Sequence, residues 1–95
     1  MSRGKPDLRA EENLSSKGRV RVLRVLSESG ELNISAVSCR TGLNHESVDK
    51  HLMKLMRHGL VHEKRYGKIR IFEAAFRSLR VVFEKGRPVS VEIGE

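Results

Sequence analysis

The sequence predicts a small α+β domain, mainly helical, with a small β hairpin projecting as a wing. Three observations predict it. Apolar residues recur at helical spacing in three stretches between Ser15 and His58, each closed by a glycine. After Gly59 the period drops to two, on either side of Tyr66-Gly67. A chain of 95 residues has room for one such unit and little else.

The elements follow in order. Residues 1–14 carry Gly4, Pro6 and mixed charges without an apolar period, and read as a flexible tail. Ser15 or Ser16 can cap a first helix that runs to about Ser29 and stops at Gly30. Val22, Leu23 and Leu26 form its apolar stripe, flanked by Val20 and Val25, and Arg19, Arg21 and Arg24 take the other side. Asn33 or Ser35 can open a short helix to about Thr41, with Ile34 and Val37 inward. Gly42 then supplies the positive φ of a tight turn. Asn44 suits the N-cap of a third helix over 45–58, and Glu46 complements its dipole. Val48, Leu52 and Leu55 mark its buried face, widened by Met56. Gly59 fits the left-handed position just past its end.

Leu60–Arg65 and Lys68–Phe72 then flank the turn. Ile69 and Ile71 alternate with Lys68 and Arg70, so the isoleucines are expected to pack and the cations to face water. Beyond them, Phe72, Phe76, Leu79 and Phe83 are spaced 4, 3 and 4, which predicts a C-terminal helix over 73–85 with an apolar seam. The competing reading is a strand through Leu79–Glu84 that turns at Lys85-Gly86 into Val89–Ile93. Val89, Val91 and Ile93 alternate, so a short final strand is expected either way. The domain is therefore expected over 15–73, with 74–95 as a helix and strand that make a dimer.

Charge narrows the function. Lys and Arg number 19 against 12 Asp and Glu, a net of +7. The tail nets zero, whereas residues 15–87 hold 16 basic and 7 acidic residues, +9. A basic body points to a polyanion met by a shaped surface, nucleic acid ahead of an acidic membrane. The longest apolar run falls far below the roughly 20 residues of a membrane span. No charged-then-apolar leader opens the chain, so a cytoplasmic, nucleoid-associated setting is expected. One cysteine, Cys39, excludes a disulfide framework and a Cys₄ or Cys₂His₂ zinc site, and reads as a small packing residue. His58 and His62 are separated by Gly59, and with His45 and His51 they make no metal site. No Ser-His-Asp order, carboxylate pair or phosphate-cradling glycine loop stands out, so no catalysis and no cofactor are expected. Gln is absent and Asn occurs three times, a composition of the kind found in thermophilic, archaeal proteins.

Helix, short helix, glycine turn, amphipathic helix and basic hairpin together make a winged helix-turn-helix. A major groove admits one helix, and its base edges present distinguishable donors and acceptors. The inserted helix must be apolar behind and polar and cationic in front, as residues 45–58 are. The preceding helix braces its angle, and the hairpin reaches phosphates or the minor groove. The candidate DNA contacts are His45, Glu46, Ser47, Asp49, Lys50, Lys54 and Arg57 on the helix. Arg65, Tyr66, Lys68 and Arg70 are those on the hairpin.

The stretch LNHESVDKHLMKLMRHGLV at 43–61 resembles the turn and recognition helix of winged helix regulators of the ArsR/MarR kind. That family reads L-S-x-x-T-V-S-x-H-L-x-x-L-x-x-x-G-L-V. The matches are Leu43, Val48, His51, Leu52, Leu55, Gly59, Leu60 and Val61. Upstream, RVRVLRVL at 19–26 is similar to the family's first core helix. The resemblance implies that His45, Glu46, Asp49 and Lys50 read bases while Lys54 lies along a phosphate. Glu46 and Asp49 depart from the family's small hydroxyl residues: a carboxylate accepts from cytosine but repels phosphate. Asn33 and Ser35 stand where metal-sensing members carry C-x-C, which excludes a thiolate sensor there. The resemblance also implies a dimer through a helix after the wing, with Phe72, Phe76, Leu79 and Phe83 at its interface. Two recognition helices would then enter successive major grooves of double-stranded DNA about 34 Å apart. The rival expectations are a winged-helix protein-interaction module and an architectural chromatin protein without a preferred site.

Overall fold

The computed structural model describes residues 5–6 and 16–94. Their elements are β1 (Lys5–Pro6), α1 (Lys17–Ser29), β2 (Leu32–Asn33), α2 (Ile34–Thr41), α3 (His45–Arg57), β3 (Val61–Tyr66), β4 (Ile69–Ala74), β5 (Ser78–Val82) and β6 (Ser90–Gly94). The strands form two antiparallel sheets, ordered β2-β4-β3 and β1-β6-β5.

Each helix starts on a polar cap. The Ser16 hydroxyl accepts from the Arg19 N–H at 3.2 Å, and the Asn33 and Asn44 side chains accept from Ala36 and Ser47 N–H at 2.8 Å. The turn between α2 and α3 is closed from inside. Buried Thr41 donates its hydroxyl to the Val37 carbonyl at 2.7 Å and accepts from the Leu43 N–H at 3.2 Å. Arg21 pins that turn to α1 by donating to the Thr41 carbonyl at 3.0 Å. At the far end of α3, Gly59 takes a φ of 77°. Its N–H donates to Met56 at 3.0 Å and that of Leu60 to Leu55 at 2.9 Å, so the orphan carbonyls are met as the chain turns into the wing.

The core lies between the three helices and the wing sheet. Val22, Leu26, Val37, Val48, Leu52, Leu55 and Phe72 are its fully covered side chains. Val25, Leu32, Leu60 and Val61 complete it. This packing fixes how α3 and the wing stand relative to each other.

Four expectations are corrected. The first is the C-terminal helix over 73–85: the chain runs as strands β5 and β6 instead. The helical spacing needs Phe72 as its first member. Phe72 is already committed to β4, opposite Glu63 on one side and Leu32 on the other, and is fully buried. Val81, Val82, Val89 and Val91 then favour strands, and Gly86 (φ 81°) turns the chain between them. The second is the four-residue seam. Phe76 and Leu79 pack at the edge of the domain's own core, and Phe83 is 78% exposed, so the four share no stripe.

The third is the packed face of the hairpin. Ile69 is 56% exposed, and it is Phe72, with Arg70 on the same side, that faces the helices. A strand offers one face to the core, and the larger aromatic ring takes it. The fourth is the tail: Lys5–Pro6 pairs with Ser90 and Val91 as a strand. The remainder of 1–14 lies outside the described residues. The two-residue strand β2, too short for any periodicity, was not visible in the sequence.

Candidate nucleic-acid interface

The outward side of α3 follows from its core side. With Val48, Leu52 and Leu55 buried, helical spacing carries Glu46, Lys50, Met53 and Arg57 to the solvent. Arg19 of α1 joins Asp49, Lys50, His51, Met53, Lys54 and Arg57 in lining an open groove of about 440 Å³ along this side. The groove is predominantly cationic. Arg19 and Met53 were missed in the sequence reading. Met53, 48% exposed, is a methyl-bearing side chain of the type that meets a thymine methyl, and its i+3 spacing from Lys50 could have found it.

The predicted helix residues do not play equal parts. His45 is exposed at the first turn, and the Ser47 backbone is spent on the Asn44 cap. Glu46 lies 3.8 Å from Lys50, an exposed i,i+4 pair of little strength. Asp49 is met by Arg70 from the wing at 3.4 Å. His51 is half-buried against Gly18 of α1, and burial, aided by the charge of Arg19, lowers its pKa from the ordinary 6.5. It belongs to the α1–α3 contact.

The wing splits into an anchored root and an exposed tip. Lys64 lies 2.7 Å from Glu31 and 3.1 Å from Glu73, and these two carboxylates hold its pKa above the usual lysine range. Arg70 donates to Glu63 at 2.9 Å, and that bond chiefly pulls the Glu63 carboxyl below its usual range. At the tip the strands turn through Gly67-Lys68, with Gly67 at φ 64° and Tyr66 opposite Ile69. Tyr66, Lys68 and Arg65 are exposed there, Arg65 leaning on Glu63 at 3.3 Å. Tip and α3 groove thus present cations from two elements, and Arg70, paired with Glu63 and Asp49, sits between them.

Among the described residues no group of three or more His, Cys, Asp or Glu side chains is placed to hold a metal ion. Cys39 is exposed on α2 rather than packed. No helix among them is long and apolar enough to cross a membrane.

Comparison with solved structures gives the same arrangement. A homodimeric winged helix-turn-helix DNA-binding domain from Mycobacterium bovis, Mb0332, a possible ArsR-family transcriptional regulator, is 28% identical. The match covers 70% of this chain and 61% of that fragment, with a TM-score of 0.62. Rv0081 of M. tuberculosis is also 28% identical, over 72% of this chain and 70% of its own, with a TM-score of 0.62. The Zalpha domain of Carassius auratus PKZ, solved with Z-DNA, shares the fold at 19% identity, a TM-score of 0.57, and coverage of 61% and 92%. A search of curated proteins returned no match. The family model for bacterial regulatory proteins of the arsR family matches residues 16–63, which run from α1 into β3 and span just over half of the chain. By that match, and by the winged helix the structure displays, the chain belongs to the arsR family.

Proposed function

We propose that this protein binds double-stranded DNA in a sequence-dependent way as a homodimeric transcriptional regulator. It acts by binding and needs no cofactor. The observation that carries the reading is the cation-lined groove of α3 beside an exposed basic wing tip. α3 enters the major groove, and Arg65, Lys68 and Tyr66 meet backbone or sugar beside it. The M. bovis relative, described as a homodimeric DNA-binding domain, supports the stoichiometry.

The dimerisation element lies within residues 74–95, in strands β5 and β6. On one face of β5 and β6, Leu79 stands opposite Ile93 and Val81 opposite Val91, while Arg80 pairs with Glu92 on the other. Phe83, 78% exposed, directly follows β5. Leu79 packs at the edge of the domain's own core, but Ile93 and Phe83 stay more than half exposed, and a second copy covers them by symmetry.

Selection of bound duplexes from a random pool, repeated at several salt concentrations, tests the proposal. Enrichment of a two-half-site sequence, with affinity falling steeply as salt rises, is expected. No duplex retained at low salt would sink it. Even retention of all sequences would favour an architectural chromatin protein. Glu46 and Asp49 on the helix front are the observation that favours a protein-docking role, which a partner captured in place of DNA would support.

A further inference from the structure

Arg70 stands in the wing, where a cation suits a phosphate, yet its fork is already occupied. Its Nε donates to Glu63 Oε2 at 2.9 Å, and its Nη2 approaches Glu63 Oε1 at 3.5 Å. Its Nη1 donates to Asp49 Oδ1 at 3.4 Å. The guanidinium carbon lies 5.1 Å from the centroid of the Phe72 ring, within cation–π range. One planar group therefore ties β3, β4 and α3 together, and only about a third of the Arg70 side chain is exposed.

Asp49 also lines the α3 groove with Lys50, Met53 and Arg57. A carboxylate has about four acceptor sites, so the bond to Arg70 leaves it able to accept from a base. Glu46 has no comparable restraint. It is more than four-fifths exposed, and its contact with Lys50 is 3.8 Å. Of the two acids on the helix front, Asp49 is the one held in place.

Resting on the duplex-binding reading above, we propose that Arg70 is a positioning residue rather than a phosphate ligand. Its fork locks the wing to the recognition helix and holds Asp49 as an acceptor for the exocyclic amine of cytosine in the major groove. Asp49 is then a specificity-determining residue, and Arg70 acts through it. The pairing also offsets the repulsion that an acid at this place exerts on the DNA backbone.

The test compares wild type, Asp49→Asn, Arg70→Met, the double variant, Arg70→Lys and Lys68→Met. Each is titrated against the selected duplex and against versions with one C·G pair exchanged. Asp49→Asn and Arg70→Met are expected to lose discrimination at the same base pair, by about tenfold each. The double variant is expected to lose no more than either single one. Arg70→Lys should behave like Arg70→Met in discrimination, because an ammonium lacks the fork that spans two carboxylates. Lys68→Met should weaken all duplexes alike and leave discrimination intact. Should Arg70→Met not fold, Asp49→Asn and Arg70→Lys carry the same comparison. An even loss across duplexes from Arg70→Met, full discrimination by Asp49→Asn, or losses that multiply in the double variant would overturn the proposal while leaving duplex binding standing. Wild-type protein that binds no duplex would instead remove the functional reading, and this inference with it.

Discussion

Glu63 receives two guanidinium groups, from Arg70 at 2.9 Å and Arg65 at 3.3 Å, and its pKa is lowered below the ordinary 4.5, mainly by the Arg70 bond. The folded state therefore holds its proton less tightly than the unfolded chain. The stabilisation is fully present above about pH 4.5 and is lost as pH falls through the lowered value. His51 moves the same balance at higher pH. Burial and Arg19 disfavour its imidazolium, so stability is full above pH 6.5 and declines as pH drops below it. Two declines are expected in the thermal midpoint followed from neutral to acid pH. Glu63→Gln should cost about 1 kcal/mol at neutral pH, a modest figure because Arg65 is largely exposed. It should also flatten the acid decline while sparing the one near pH 6.5. An unchanged acid branch would remove Glu63 from the account.

Contacts between elements depend on close approach. Gly18 sits in the first turn of α1, and a Cβ there would lie 2.6 Å from His51 Nε2. α1 and α3 can come this close because the position has no side chain. Alanine would help an isolated helix by up to about 1 kcal/mol, but at 2.6 Å the ring of His51 must shift and give up part of its α1 contact. Gly18→Ala is expected to destabilise wild type by about 1 kcal/mol, and to stabilise the protein once His51 is shortened to alanine. Urea unfolding of the four combinations measures this, and a stabilising Gly18→Ala in wild type would contradict the packing argument.

The same scale shows what the sequence made legible. The three helices were readable because caps, apolar stripe and closing glycine all agreed at Ser16–Gly30, Asn33–Gly42 and Asn44–Gly59. The resemblance at 43–61 pointed to α3 as the candidate reading helix, but the candidate site was only partly visible. Whether Arg70 faces phosphate or Asp49 depends on the register of β4, and one step of register exchanges the faces of a strand. The turn falls at Gly67-Lys68, one residue later than the Tyr66-Gly67 expected, and in the resulting register Phe72 stands opposite Glu63 and, across the sheet, opposite the distant Leu32. For the same reason the 4-3-4 spacing misled: it was real in the sequence, but its first member was already spent on another sheet.

As a whole, the molecule is elongated, 46 × 24 × 20 Å, and around the β1-β6-β5 sheet apolar side chains stand in water that the described residues do not cover. Phe83 is 78% exposed and Ile93 51%. If this face joins two copies, Phe83→Asp puts a charge into the interface without touching the core. The variant should stay folded, with stability within about 0.5 kcal/mol when measured on the monomer. Sedimentation should show a monomer where wild type is a dimer. Binding to an isolated half-site should be unchanged, whereas affinity for the full two-half-site duplex should fall by about 100-fold, because the second recognition helix is no longer tethered to the first. The paired readout separates assembly from contact. A variant that remains dimeric places the interface elsewhere. A monomer that keeps full affinity for the double site means that each copy reads its half-site alone and that the exposed Phe83 face adds nothing to binding.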